Sequence, residues 1–376
     1  MKHLQQVPRL LSKKLGKNTK PVLFAVGFGV IGIALLLTTK ASTPAANSEV
    51  ESGSKSANAV VVTDGTASGG SAVKFANTPT TPPLGGGALK GWELTTSNVG
   101  LAPHGLTCAG LPKYTGSLTI PKDAMLSNYR FEGNLDLAAG GITIEKSCIK
   151  PTAANGHAVI TNDICGADEC VVTSAGSVII KDSEIDASAV PLSSDLGGEC
   201  AFRGVGTLQR NYMHGMGSGI CFFGTGLVHN ALAEQNYVTS LRAWDHPTDP
   251  GLSTHNEAAT VRDFRKNTNN TRRADFINNR FDCSSGNTTG GLFLQPTWVD
   301  VVNVWVTGNY LEGEGYNLYL NKAGGNYSNV HATNNRFRST GWGPAVVDGG
   351  AGWDEWTENY RYDATKPDAK GAAVSP

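Results

Sequence analysis

The chain has 376 residues, only 17% of them charged, with 46 glycines and a formal net charge of −1. Six basic residues and no acidic one fall in the first twenty positions, so the remainder carries −7. A mildly acidic body gains nothing from counterion release, which excludes nucleic acid as the expected partner. It also holds no basic stripe suited to a heavily sulfated or phosphorylated polymer.

The basic leader (Lys2, Arg9, Lys13, Lys14, Lys17, Lys20) runs into residues 22–37, an apolar stretch interrupted by three glycines. That length lies between a signal-peptide core and a spanning helix of about 20 residues. Residues 1–40 are therefore expected to be a signal or transmembrane segment, and the positive-inside rule puts the chain beyond Lys40 outside the cytoplasm. The expectation is a secreted protein or one anchored in the membrane through residues 22–37.

Residues 41–90 are a low-complexity spacer of small polar residues, Thr, Pro and Gly. Within it, residues 49–75 (EVESGSKSANAVVVTDGTASGGSAVKF) differ in character, with a strand-like run and an Ala-Ser-Gly-Gly turn. They resemble the opening of bacterial carbohydrate-binding modules. Such modules need a complete β-sandwich, which so few residues cannot build; a leftover hairpin is the alternative.

From residue 91 to 363 the chain repeats itself. Residues 302–320 (VNVWVTGNYLEGEGYNLYL) show the unit: an alternating strand, Gly308-Asn309, the apolar pair Tyr310-Leu311, a glycine-rich turn and a second alternating strand. Asparagines recur at Asn211, Asn236, Asn279, Asn309, Asn335 and Asn359, and earlier copies carry Ser147 and Ser183 in that place. All intervals between these asparagines are 24 to 30 residues except one of 43. A period of this size marks a repeat whose units must stack to bury their apolar faces. Period-2 alternation makes the units coils of short strands, and the handedness of parallel crossovers makes the stack a right-handed parallel β-helix. The fold class is all-β, with about ten coils. The recurring asparagine is expected to take left-handed backbone geometry and to bond its equivalent one coil away. Residues 100–125 are expected to cap the open end, and residues 364–376 to form a frayed polar tail.

With its Asn-Asn-Arg-Phe corners at 278–281 and 334–337 and its Gly-x-Tyr-x-Leu-x-Leu strand, the chain resembles the right-handed β-helix proteins of the pectate-lyase-like superfamily, particularly bacterial secreted members. The resemblance covers roughly residues 92–363 and implies the fold; an activity does not follow from a fold.

Of the seven cysteines, Cys165 and Cys170 frame a polar loop, Cys200 and Cys221 lie nearly one coil apart, and Cys283 is the expected odd thiol. An exported chain permits disulfides, but spacing does not give their pairing. No short-spaced cluster suits zinc.

The 43-residue interval holds the insertion where chemistry is expected, since long loops on a rigid scaffold carry sites. It reads Asp245-His246-Pro247-Thr248-Asp249-Pro250-Gly251, then Ser253-Thr254-His255-Asn256-Glu257, then Ala258 to Asp263. Members of the resembled family often read His-Asn-Asp-Gly-Ile-Gln in this coil; His255 and Asn256 match and Glu257 replaces the aspartate. Strict alternation would put His255, Glu257 and Asp263 on one face, with Asn256 and Arg262 on the other. A histidine beside a carboxylate suits general base work, so His255, Glu257, Arg262 and Asp263 are the catalytic candidates, with Asp245, His246 and Asp249 in reach. A polar turn satisfying its own hydrogen bonds is the rival reading. The Arg-x-Pro-x-x-Arg of pectate lyases is absent, Trp244-Asp245-His246 lacks one residue of their Trp-Ile-Asp-His, and the paired aspartates of polygalacturonases are missing.

With Leu292, Leu294, Leu318 and Leu320 inward, Phe293, Gln295, Tyr319 and Asn321 point outward on adjacent coils, and Trp298 lies nearby. Aromatics and amides together suit sugar rings. The expected function is an extracytoplasmic module that binds polysaccharide or a cell-surface glycan. The alternatives are a polysaccharide lyase or glycoside hydrolase centred on His255 and Glu257, or a structural stalk. Only the lyase reading brings a cofactor, Ca2+. Trp353 and Trp356 are expected to plug the C-terminal end.

Overall fold

The structure, a computed structural model, describes residues 59–63, 71–75, 88–161, 176–223, 229–264, 271–284, 290–339 and 341–376. The chain divides into two units, the first ending at Gly85. In the first, Ala59–Thr63 pairs antiparallel with Ser71–Phe75, the hairpin expected of the module-like fragment. Residues 22–37, Cys165 and Cys170 lie outside the described residues. Among those described, no helix is long and apolar enough to cross a membrane.

The second unit is a three-sided parallel β-helix. Each coil gives one strand to a nine-stranded sheet and one to a ten-stranded sheet, whose tenth strand is the C-terminal tail, and all but the last give one to an eight-stranded sheet. The first sheet runs from Met125–Ser127 to Glu355–Thr357, the second from Arg130–Glu132 to Tyr360–Tyr362, and the third from Leu135–Asp136 to Gly343–Asp348. Nine coils result among the described residues, one fewer than expected; bridges from Lys113 to Arg130 and from Thr119 to Asp136 start a partial rung below the first. Stacking is in register, so Ala233, Phe276, Val306 and Ala332 succeed one another inside the coil. A continuous core from Ile120 to Phe337 results, with Phe202, Phe222, Phe276 and Phe281 at its centre. Each such ring stabilises the fold by about 1.5–3 kcal/mol on burial.

The recurring asparagines form a ladder at the corner between the first and second sheets. The backbone N–H and side-chain Nδ2 of Asn309 both donate to Oδ1 of Asn335, at 3.0 and 3.1 Å. Nδ2 also donates to the Phe276 carbonyl at 2.8 Å. The same pattern links Asn211 to Asn236, Asn279 and onward to Asn359. Ser147 and Ser183 extend it with hydroxyls, as the Ser147 N–H donates to Ser183 Oγ. The left-handed backbone, however, belongs to the residue before each marker: Lys146, Asp182, Arg210, Gln235, Asn278, Gly308, Asn334 and Glu358 all have φ between 48° and 70°. The chain turns one residue early, which aims the asparagine amide into the stack.

Of the expected cap, residues 112–125 do cover the open end, with the Tyr114 and Ile120 N–H groups donating to the Arg130 and Asp136 carbonyls and Ile120 fully buried, but residues 88–111 run elsewhere. They form a strap along the outside of the second sheet, from the last coils towards the first. The Trp92 ring lies under the Arg336 guanidinium, the Gly91 N–H donates to the Gly308 carbonyl, and the Gly100 N–H to that of Arg210. The Leu94 carbonyl accepts from Arg280. A side chain at Gly91 would come within 2.1 Å of the Asn279 carbonyl, so only glycine passes there. The strap ends in the Cys108–Cys148 disulfide. Beneath it Arg280, Tyr310, Arg336 and Tyr360 are register neighbours, alternating cation and ring.

The C-terminal tail is ordered by pairing rather than frayed. Lys370–Ala373 adds antiparallel to Tyr360–Tyr362, Trp356 donates to the Val374 carbonyl, and Asp368 binds the buried Arg336. Trp353 and Trp356 pack on each other and on the core at this end.

Candidate functional site

The eight-stranded sheet positions the site. Its outer face is set by rows of register neighbours: Cys221, Thr260, Phe293, Tyr319 and Val346 in one, Phe223, Arg262 and Gln295 in another. Near the start of each strand the alternation breaks. Ala258 and Ala259 are consecutive and both lie in the core, which brings Glu257 and Arg262 to the same face. The expectation that Arg262 opposes Glu257 is thereby corrected: strict period 2 holds only along a straight strand, and this one bends. Small residues permit the bend, since a side chain at Gly219 would meet the Ala258 carbonyl at 2.2 Å and Val238 at 2.5 Å.

This face floors a cleft of about 790 Å³. Glu257, Arg262, Phe293, Gln295, Tyr319 and Asn321 line it together, so six of the nine residues singled out from sequence converge with a seventh, His255. Asp245, Pro250, Ser253 and Thr254 enter from the insertion, and Glu314, Gly315 and Trp342 from two adjacent corner loops. The insertion is pinned to the coil: the Trp244 and Thr254 backbones bond each other, Thr254 Oγ1 donates to Asn256 Oδ1, and Asn256 Nδ2 donates to the Gly197 carbonyl. Gly341 must be glycine for its loop to pass over the Glu314 carbonyl, which accepts from the Trp342 N–H.

Two of the candidates serve the framework instead. Asp263 is buried with φ 57°, and its Oδ1 accepts from the backbone N–H groups of Trp298 and Val299, capping that turn. Trp298 is exposed on the turn but does not line the cleft. His246 and Asp249 also hold the loop, by accepting backbone N–H bonds at 2.9 Å from Asp249 and Gly251. Sequence reasoning misses two cleft residues, Glu314 and Trp342. Their signals are the Gly-Glu-Gly turn and the glycines flanking Trp342.

The electrostatics centre on Glu257. It is 3% exposed, and burial pushes its carboxyl up to about 7 despite the opposing pull of Arg262. Its Oε1 has no hydrogen-bond partner, and neither do Thr260 Oγ1, Arg262 Nε, Arg203 Nε or Asn321 Oδ1 on the same face. Buried polar atoms left unmatched are uncommon, so their gathering on one face is informative. The outward aromatics do not lie side by side as open faces. Phe293 and Tyr319 stack on each other, with centroids 4.5 Å apart and planes at 19°, so they spend ring faces on one another and turn edges to the cleft. The ring with an open face is Trp342, 74% exposed and edge-on to Tyr316. Burial first, then the Asp348 carboxylate that accepts from its hydroxyl, raises the Tyr319 pKa.

The cleft does not fit Ca2+, which takes six to eight oxygens with several carboxylates converging. Asp245, Glu257 and Glu314 do not gather as a ligand trio, and Glu257 sits dry with a proton-favouring environment. Among the described residues, the trio of potential ligands that does gather, Cys108, Glu184 and Asp186, has its sulfur committed to a disulfide.

Glu257 yields a stability test. Its folded pKa is raised, so the stability it contributes is complete below its unfolded value of 4.5 and is lost as pH rises through about 7. The wild type should lose about 3 kcal/mol between pH 4.5 and 8 relative to Glu257→Gln. Parallel pH profiles of urea unfolding for the two proteins would contradict this.

No protein-family model, curated protein or solved structure matches this chain.

Proposed function

We propose that the protein binds a polysaccharide chain in the cleft of the eight-stranded sheet, as an extracytoplasmic member of the right-handed pectate-lyase-like β-helix proteins. The observation that carries the reading is the set of unpartnered polar atoms on that face, beside an open tryptophan ring. A sugar offers what such a face lacks: hydroxyls that both donate and accept, and an apolar ring face to stack on Trp342. Gln295 and Asn321 supply amides at neighbouring positions. The basic leader and the apolar run behind it support export.

Affinity electrophoresis through gels carrying plant or bacterial polysaccharides tests this. The wild type should be retarded by at least one polymer, and Trp342→Ala should weaken retention about tenfold, the loss of one desolvated stacking contact. Equal retention of both proteins would remove the cleft from the reading.

A second reading, cleavage of the bound chain, is favoured by Glu257. A carboxyl that keeps its proton near neutrality can protonate a glycosidic oxygen as the C–O bond breaks, and water would complete a hydrolysis. His255, Asp245 and Glu314 border the same space. Glu257→Gln should then abolish release of new chain ends while sparing retention. Absence of any new ends from the wild type across the polymers that it retains leaves the binding module.

A further inference from the structure

A second constellation lies on the ten-stranded sheet and shares no residue with the cleft. His214 ends the strand Tyr212–His214, and its register neighbour Asp186 ends Glu184–Asp186. His214 Nε2 is 3.0 Å from Glu184 Oε1. Nδ1 is 3.1 Å from the hydroxyl of Ser188, an exposed residue of the turn after Asp186. A carboxylate only accepts, so Glu184 fixes the ring proton on Nε2 and leaves the Nδ1 lone pair to the Ser188 hydroxyl. The Tyr212 ring packs on the imidazole, with centroids 4.4 Å apart. Asp186 Oδ1 lies 3.6 Å from Nδ1, too far for a hydrogen bond. Asp186 accepts the Ser188 N–H at 3.0 Å and reaches its hydroxyl, but imidazole is the stronger base of the two acceptors. Gly215, at φ 79°, lets the turn close on the histidine, since a side chain there would come within 2.5 Å of the Ser188 nitrogen. Spare donors adjoin the same turn. Arg242 of the insertion clamps the carbonyls of Ser188, at 3.4 Å, and Val190, while its buried Nε has no acceptor. Between those carbonyls the Ala189 N–H has none either among the described residues. Ala189, Val190 and Pro191 line a hollow of about 900 Å³, which the strap walls with Val99, Leu101 and Leu106.

We propose that Ser188, His214 and Glu184 form a hydrolytic triad for a carboxylic ester whose apolar acyl chain lies in that hollow. Ser188 Oγ attacks the carbonyl carbon as its proton passes to His214 Nδ1. The carbonyl π electrons move to the oxygen, for which the Ala189 N–H and Arg242 Nε are the donors on hand. The C–O bond to the alcohol then breaks, and the leaving oxygen takes the proton back from Nδ1. Water repeats the sequence on the acyl-serine, releasing the acid and restoring the hydroxyl. Glu184 acts through His214 as a positioning residue, holding its tautomer and ring direction. Apolar side chains from both the turn and the strap select an apolar acyl chain.

The test offers the full chain p-nitrophenyl acetate, butyrate and octanoate, and separately an alkyl fluorophosphonate whose attachment point is found by peptide mass. The wild type should hydrolyse at least one ester with saturation and take one phosphonyl group, on Ser188. Ser188→Ala, at an exposed position and checked for an unchanged melting midpoint, should lose hydrolysis by about a hundredfold or more, and so should His214→Gln. Glu184→Gln should lower kcat while KM stays within about twofold, the split that a loss of general folding would not give. Labelling needs no variant, so it decides the matter where His214→Gln fails to fold. A label on Ser188 upholds the activated serine even if none of the three acyl chains is turned over. Turnover that Ser188→Ala leaves intact, or a wild type with neither turnover nor label on Ser188, overturns the triad.

Discussion

Asn309→Ala is expected to destabilise the β-helix by about 4 kcal/mol, measured by urea unfolding. The side chain sits at the middle of the ladder with no exposure. Its Oδ1 accepts from the Asn279 backbone N–H at 2.8 Å and from Asn279 Nδ2 at 3.0 Å. Alanine leaves that N–H buried without a partner and removes one of two donors at the Phe276 carbonyl, which keeps the ladder bond of its strand, while Asn279 Nδ2 keeps its second bond to the Ala233 carbonyl. The orphaned N–H costs about 1–3 kcal/mol, and each further hydrogen bond lost about 1 kcal/mol. Asn309→Ser should lose less, under about 2 kcal/mol, because the chain already uses serine in this role. Ser183 Oγ accepts from the Ser147 N–H, so a hydroxyl can still receive the Asn279 N–H. A loss below about 1 kcal/mol for alanine, or equal losses for the two variants, would show that the ladder is not what holds the corner.

Replacing both Cys108 and Cys148 by alanine should cost a similar amount. The bridge closes a loop of 40 residues, for which chain entropy in the unfolded state gives about 4 kcal/mol. It is also the covalent end of the strap, whose remaining ties include single hydrogen bonds and one cation–π contact. In the variant, proteolysis within residues 88–111 should therefore quicken more than cleavage within the coils. A melting midpoint matching the wild type, with equal proteolysis of strap and coils, would mean that the strap is held by its packing alone.

Much of this architecture is local and therefore readable. The asparagine markers, the glycine corners and the alternation of Leu292, Leu294, Leu318 and Leu320 each report on a few adjacent residues. Stacking them needs only the repeat period. The convergence of Glu257 with Phe293, Gln295, Tyr319 and Asn321 comes from that period plus alternation. What escaped depends on deviations from regularity or on distance. Asp263 lies one residue past its strand, in a left-handed turn that takes it off the face. The inward pair Ala258 and Ala259 is a bend, which a two-residue period cannot express. Glu314 and Trp342 stand a coil apart and meet because Gly341 allows their loops to touch. The strap carries no repeat at all, and its partners are set by packing against coils far along the chain. Cys283 stays a buried thiol, its Sγ 3.5 Å from the Asn256 carbonyl, as its oddness suggested.

The strap changes how this solenoid should fold. A stack whose coils touch only their neighbours behaves as a one-dimensional array, free to nucleate anywhere and to fray coil by coil. Here residue 92 meets residue 336 while residue 108 is joined to residue 148. One segment thus couples terms that would otherwise be independent, so the two ends should melt in a single transition instead of by progressive unzipping. The same contacts raise the contact order of the chain, because a segment made early in synthesis has its docking site among the coils made last. Its locking should be the slow step of refolding, trailing the formation of the coils themselves.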